Sequence, residues 1–158
     1  MNLKFTLAYD GSLFQGSQKQ PNGMTVEDKL LKAFKKINIE TNIVLSGRTD
    51  KEVHAIGQVF NCVVPDFWQD FFKLKDILNK NLPSSIKILR IQKVKDDFHS
   101  RFHAKKRVYR YLITTKPTTP FNNKFITHIK NVDEELLQKA IKEFVGVYDF
   151  KYFHKTGS

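Results

Sequence analysis

Between residues 3 and 94 the hydrophobic repeat changes from a period of two to one near 3.6 and back, twice over, and this order limits the fold more than any other feature of the chain. Leu3, Phe5, Leu7 and Tyr9 alternate with Lys4, Thr6 and Ala8, which predicts a strand with one buried face, ended by Asp10-Gly11. Val26, Leu30, Leu31, Phe34 and Ile37 then recur at helical spacing opposite Lys29, Lys32, Lys35 and Lys36. Thr25 and Asp28 form a capping-box pattern at the head of that helix. Residues 43–46 and 58–64 read as strands on either side of the polar stretch 47–52. A second helix is expected after Asp66. It carries Trp68, Phe71, Phe72, Ile77 and Leu78, with its aromatics assigned to the core, and stops at Leu82-Pro83. Residues 86–94 give a fourth strand.

The resulting order, β-α-β-β-α-β, is that of a ferredoxin-like split unit. Beyond it, residues 107–115 predict another strand and residues 132–144 a third helix ended by Gly146. The expected class is therefore α+β: a ferredoxin-like unit over residues 1–105, then the start of a second, incomplete α+β unit over 106–158. With 14 Phe and 41% hydrophobic residues the chain has material for a core. The single cysteine, Cys62, can form no internal disulfide and is expected as a small core residue. No run of 18 apolar residues occurs, and the strand begins directly at the N-terminus, so a soluble cytoplasmic protein is expected. The 27 Lys and Arg exceed the 16 Asp and Glu, giving a net charge of +11. That excess favours a polyanionic partner, nucleic acid first, although a basic surface that is only solvated remains an alternative.

Gly47-Arg48-Thr49-Asp50 places a guanidinium two residues from a carboxylate in a loop between strands. A cationic neighbour favours the ionised form that a nucleophile or base needs, and a surface turn with a local ion pair is the competing reading. Of the five histidines, His54, His99, His103, His128 and His154, the pair His99 and His103 has the spacing of two ligands on one helical turn. With Arg101 between them and Cys62 the only thiol, a metal site is not expected. No phosphate loop, nucleophile elbow or paired-cysteine motif occurs. From Phe98 to Tyr111, Arg101, Lys105, Lys106, Arg107 and Arg110 interleave with Phe98, Phe102, Tyr109 and Tyr111. Cations that bind phosphates beside aromatic faces that stack on bases suit single-stranded RNA. Alternatively, Tyr109, Tyr111 and Ile113 are one strand face packed into a core.

These residues also fall into ordered blocks. Y-D-G-S-L-F-Q-G-S-Q-K-Q at 9–20 and S-G-R-T-D-K-E-V-H-A at 46–55 resemble the opening and the signature of the TruA family of tRNA pseudouridine synthases. Asn81-Leu82-Pro83, Phe98-His99-Ser100-Arg101-Phe102, Arg107-Val108-Tyr109-Arg110-Tyr111 and Gly146-Val147-Tyr148-Asp149-Phe150 follow in the family's order. The resemblance implies the pseudouridine synthase fold and an isomerase that converts uridines of the tRNA anticodon stem-loop without a cofactor or metal. It also implies a homodimer. On this resemblance Asp50 is the catalytic aspartate, Arg48 helps flip the target base and Tyr109 stacks on it. Phe98, His99, Ser100, Arg101 and Phe102 touch RNA, and Lys105, Lys106 and Arg107 extend that surface.

Two positions depart from the pattern: Ser17 stands where the family usually has tryptophan, and Glu52 where it has glycine. Because Glu resists the positive φ that Gly permits, a differently shaped loop is expected there. Family members extend well past residue 158, so the resemblance implies an N-terminal portion. The remainder would supply further strands, a basic partner for the aspartate and the apolar wall of the uracil pocket. A non-catalytic RNA-binding module, or an inactive fragment of such an enzyme, is the rival reading.

Overall fold

The computed structural model describes residues 1–21 and 23–153, and the chain divides into two compact units, Met1–Tyr109 and Arg110–Ser158. The first unit contains β1 (Asn2–Tyr9), α1 (Val26–Lys35), β2 (Val44–Leu45), β3 (Ala55–Val63), α2 (Phe71–Asn81) and β4 (Ile86–Lys93), with one 3-10 turn at Gly11–Leu13. Its sheet order is β2-β3-β1-β4 and all three pairings are antiparallel, the ferredoxin-like arrangement that the succession of periods predicts.

β1 is central because alternate residues are buried: Leu3, Phe5, Leu7 and Tyr9 all lie in the core. Phe5 pairs with Phe60 across β1 and β3, and their rings stack at 4.5 Å. Phe34 of α1 meets Phe5 edge-on at 5.6 Å and Phe60 at 6.4 Å, the offset geometry that aromatic quadrupoles favour. Val26, Leu30 and Ala33 bring the rest of α1 onto this cluster. Both halves of the Thr25/Asp28 capping box are made, and α1 opens with Glu27 and Asp28 and closes with Lys32 and Lys35, as the helix dipole favours. Cys62 is buried, and loss of solvent pushes its thiol up to about 12.

Helix α2 corrects two expectations. It starts at Phe71 with Asp70 as its cap, later than the Asp66 start read from the sequence. Asp66 is engaged elsewhere: its carboxylate pairs with the Met1 ammonium at 2.6 Å, which holds it below the usual carboxylate range. The helix then turns Leu74 and Leu78 inward, four residues apart. That phase leaves Phe72 exposed and Trp68 and Phe71 only partly buried, so the aromatics expected in the core are largely at its edge.

In the second unit the strand expected at 107–115 shrinks to β5 (Ile113–Thr114), paired in parallel with β6 (Thr127–His128). A strand persists only where a neighbour takes its N–H and C=O groups, and among the described residues only this short stretch finds one. Helix α3 (Glu134–Lys142) is capped by Asp133 and lies within the predicted 132–144. Phe144, Tyr148, Phe150 and Phe153 follow as a ring cluster with centroid separations of 5.8 to 6.5 Å. Among the described residues no helix is long and apolar enough to cross a membrane.

The packing ranks two phenylalanines oppositely. Phe5→Ala should lower unfolding free energy by about 3–5 kcal/mol, the usual cost of emptying an aromatic site in a core. Phe72→Ala should stay within about 0.5 kcal/mol, as at other exposed positions. Urea midpoints of the two variants check the ranking, and equal losses would contradict it.

Candidate active site

The loop from Ser46 to His54 leaves short strand β2 and enters β3, and the segment after β1, residues 10–17, lies against it. Two glycines allow that approach. A Cβ on Gly11 would stand 2.1 Å from the Val53 carbonyl oxygen, which backbone atoms cannot tolerate. Gly16 has φ +108 and sits with its Cα hydrogens against the Thr49 carbonyl, where a Cβ would come to 3.0 Å.

Hydrogen bonds then fix the loop residue by residue. At its start, Gln58 accepts from the Ser46 hydroxyl at 2.9 Å and donates to the Gly47 carbonyl at 2.7 Å. At Thr49 the backbone is held on both sides of its Cα: Ser17 N–H donates to the Thr49 carbonyl at 2.9 Å, and the Thr49 N–H donates to Ser17 Oγ at 2.8 Å. The Thr49 hydroxyl meets Tyr9 Oη at 2.8 Å. Tyr9 is buried, and that burial raises its phenol above the ordinary range. At the far end Gly11 N–H donates to His54 Nδ1 at 3.1 Å, and His54 Nδ1 lies 3.2 Å from Asp10 Oδ1. The Asp10 carboxylate also accepts from Ser12 N–H and Oγ.

Asp50 heads a turn in which Val53 N–H donates to the Asp50 carbonyl at 3.3 Å, with φ positive only at the third residue, Glu52 at +67. That is the type II pattern, which prefers glycine at this point. The loop thus keeps the left-handed conformation that Glu was expected to refuse. A side chain in that region costs about 1–2 kcal/mol, which the surrounding contacts must offset. Asp50 and Arg48 are both exposed. The ion pair of the loop is Lys51 with Glu52 at 3.4 Å, while neither Asp50 nor Arg48 has a side-chain partner among the described residues. A loop whose only purpose was a local Arg48–Asp50 bridge would look different.

The block at 98–102 follows β4 and is held by two buried asparagines that the sequence reading passed over. Asn2 Nδ2 donates to the carbonyls of Lys95 at 3.1 Å and Phe98 at 2.9 Å, and Asn61 Nδ2 donates to Asn2 Oδ1 at 3.0 Å. Asn61 Oδ1 accepts from Ser100 N–H at 2.8 Å, so Ser100 is buried and its backbone fixed. Both lie on the sheet face opposite Leu3, Phe5 and Phe60, where polar residues are ordinary, so the strand period offered no signal for them. His99 and Phe102 stack at 4.2 Å, and Phe98 lies 5.8 Å from His103. The two histidines use their Nδ1 atoms to accept the amides of Phe102 and His99. Among the described residues no three His, Cys, Asp or Glu side chains gather as a metal would require; His154 lies outside the described residues.

Arg107 connects the two blocks. Its Nη2 donates to the Ser46 carbonyl at 2.6 Å and to the Arg101 carbonyl at 3.3 Å. Of the other basic residues, Arg101, Lys105 and Lys106 are exposed. Tyr109 is 67% exposed, which leaves its ring free to stack rather than packed in a core.

The ferredoxin-like sheet thus presents the exposed Arg48 and Asp50 on a hydrogen-bonded loop, beside a block of basic and aromatic side chains. The tRNA pseudouridine synthase family profile matches residues 6–103, and the chain belongs to that family. It is 40% identical over 154 residues to tRNA pseudouridine synthase A of Helicobacter pylori strain HPAG1, covering 98% of this chain and 62% of the relative. Against the protein of that name from Wolinella succinogenes it is 38% identical over 152 residues, covering 96% and 60%. Against that of Streptococcus agalactiae serotype III it is 36% identical over 159 residues, covering 98% and 61%. The chain therefore spans 60 to 62% of the length of these relatives.

The crowding at Gly11 and the strain at Glu52 predict opposite stability changes. Gly11→Ala should destabilise by about 1–3 kcal/mol or more, because backbone must move to admit the methyl group. Glu52→Gly should be neutral to about 1 kcal/mol stabilising, since relief of the left-handed strain is partly offset by glycine's added chain entropy. Thermal or urea unfolding of both variants gives the test, and a stabilised Gly11→Ala would refute the close approach.

Proposed function

We propose that the complete gene product isomerises uridine to pseudouridine in the anticodon stem-loop of tRNA, with Asp50 as its catalytic carboxylate. The observation that supports this most is the loop at 46–54: its backbone is fixed on both sides while Asp50 and Arg48 stand exposed upon it. Preorganised charge on a rigid loop is what a site needs when the reacting nucleotide is brought to it. The reaction breaks the N1–C1′ bond of uridine and forms a C5–C1′ bond; C5 loses its proton and N1 gains one. Nothing is oxidised and no group is lost, so the conversion calls for no redox or group-carrying cofactor. The target nucleotide must leave the stack to reach Asp50. Arg48 is the cation that assists it, and Tyr109 is the ring on which a base stacks.

Arg101, Phe102, Lys105 and Lys106 form the RNA-facing surface, with Phe98, His99, Ser100 and Arg107 holding its shape. The net charge of +11 suits that partner. A homodimer working in the cytoplasm completes the reading.

Asp50→Asn in the complete gene product should abolish tritium release from uracil-labelled tRNA, with tRNA affinity within about threefold of wild type. Substantial turnover by the variant would refute the assignment. A wild-type protein that binds tRNA but releases no tritium would favour a non-catalytic RNA-binding module instead.

Affinity for tRNA should also fall steeply with salt, since each neutralised phosphate adds about 0.9 to the magnitude of the log–log slope on duplex and about 0.7 on single strands. Replacing Lys105 and Lys106 together by Ala should reduce that slope by roughly 1–2 without changing which tRNA is preferred. An unchanged slope would remove those lysines from the RNA surface.

A further inference from the structure

We propose that Ser17 is a positioning residue for Asp50, acting through the Thr49 peptide; the inference rests on the synthase reading above. Ser17 has 0% exposure, and its polar groups are all engaged. Its N–H donates to the Thr49 carbonyl at 2.9 Å, and its Oγ accepts from the Thr49 N–H at 2.8 Å. Its hydroxyl hydrogen has the Thr49 carbonyl oxygen within reach at 3.4 Å. Its own carbonyl accepts from Glu27 N–H at 3.0 Å, in the first turn of α1. Ser17 is thus a strut from the head of a capped helix to the residue immediately before Asp50.

Each end of the strut is rigid. The capping box fixes the α1 terminus, while Tyr9 Oη holds the Thr49 side chain from the sheet. The Thr49 N–H belongs to the Arg48–Thr49 peptide and its C=O to the Thr49–Asp50 peptide, so Ser17 restrains two successive planes, and the second of them carries the Cα of Asp50. Placement of a reacting group within a fraction of an ångström is worth orders of magnitude in rate. The side-chain bond needs an acceptor of serine's size. Alanine has none, and an indole at this position can donate but not accept. The bond to the Thr49 N–H is therefore a property of the serine in this chain.

The experiment uses the complete gene product and compares wild type, Ser17→Ala and Asp50→Asn. Single-turnover pseudouridine formation, tRNA affinity and hydrogen exchange at individual amides are measured on each. Ser17→Ala should slow the single-turnover step about 10- to 100-fold with tRNA affinity within about threefold. It should also speed exchange of the Thr49 amide at least about tenfold, leaving the β1 and β3 amides of Phe5 and Phe60 unchanged. A rate within twofold of wild type, or unchanged protection at Thr49, would overturn the inference. So would a rate loss matched by faster exchange at Phe5 and Phe60, because that is general destabilisation. Full turnover by Asp50→Asn would instead defeat the synthase reading and this inference with it. Loss of turnover in Asp50→Asn beside full turnover in Ser17→Ala would defeat the Ser17 inference alone.

Discussion

β1 and β3 are antiparallel from Asn2↔Val63 to Tyr9↔Ala55, and that register decides what can meet at either end of the sheet. At one end the chain leaving Tyr9 must run beside the chain entering Ala55, which sets Asp10 and Gly11 against Val53 and His54. At the other, Asn2 and Asn61 meet under the turn that follows β4 and fix Phe98 and Ser100. A slip of one residue between β1 and β3 would put Phe5 and Phe60 on opposite faces of the sheet and separate both constellations together. The stacked and edge-on rings of Phe5, Phe60 and Phe34 make such a slip costly. Packing in the core is therefore what holds the R-T-D loop and the aromatic block in place.

Within the loop, backbone and side chains have separate tasks. Gly47, Thr49 and Asp50 have carbonyls or amides bound to Gln58, Ser17 and Val53, all within the first unit. The side chains of Arg48 and Asp50 face solvent. Charges on a mobile loop would have to be ordered at the moment of reaction, at an entropic cost. Charges on a bonded loop have met that cost during folding. Arg107 joins this loop to Arg101, so movement of the block at 98–102 is felt at Ser46.

Much of this was legible from residue patterns because it depends on local periodicity. The strands at 3–9 and 86–94, helix α1 with its Thr25/Asp28 box, and the break at Leu82-Pro83 are each set by nearby residues. What was not legible depends on partners distant in sequence. Phe72 looked like core until the phase of Leu74 and Leu78 fixed which side of α2 faces the sheet. The strand at 107–115 had the right residues but, among the described residues, finds a pairing neighbour only at Ile113 and Thr114. Asn2 and Asn61 act only as a pair, 59 residues apart, and neither is a strong strand former alone. The motif residues Arg48 and Asp50 could be read as chemistry, whereas the supports Tyr9, Ser17 and Gln58 became visible only with the fold.

Ser17 and Glu52 are departures from the family pattern, yet they flank Asp50 on either side and belong to one set of contacts. Glu52 holds φ +67 because the Val53 to Asp50 hydrogen bond closes the turn on one side and Gly11 presses on Val53 from the other. A strained torsion survives where its surroundings determine it several times over. Ser17 adds a further constraint by binding Thr49 at both its amide and its carbonyl. The shape of the loop is thus imposed by the sheet register and the glycine-mediated approach, not by the torsional preference of residue 52. Substitution at a position of this kind changes the stability of the loop before it changes the loop's form, because every alternative conformation must first break contacts made by Gly11, Ser17 and Gln58. The chemistry assigned to Asp50 depends on where its backbone is held, and that is governed by residues outside the signature.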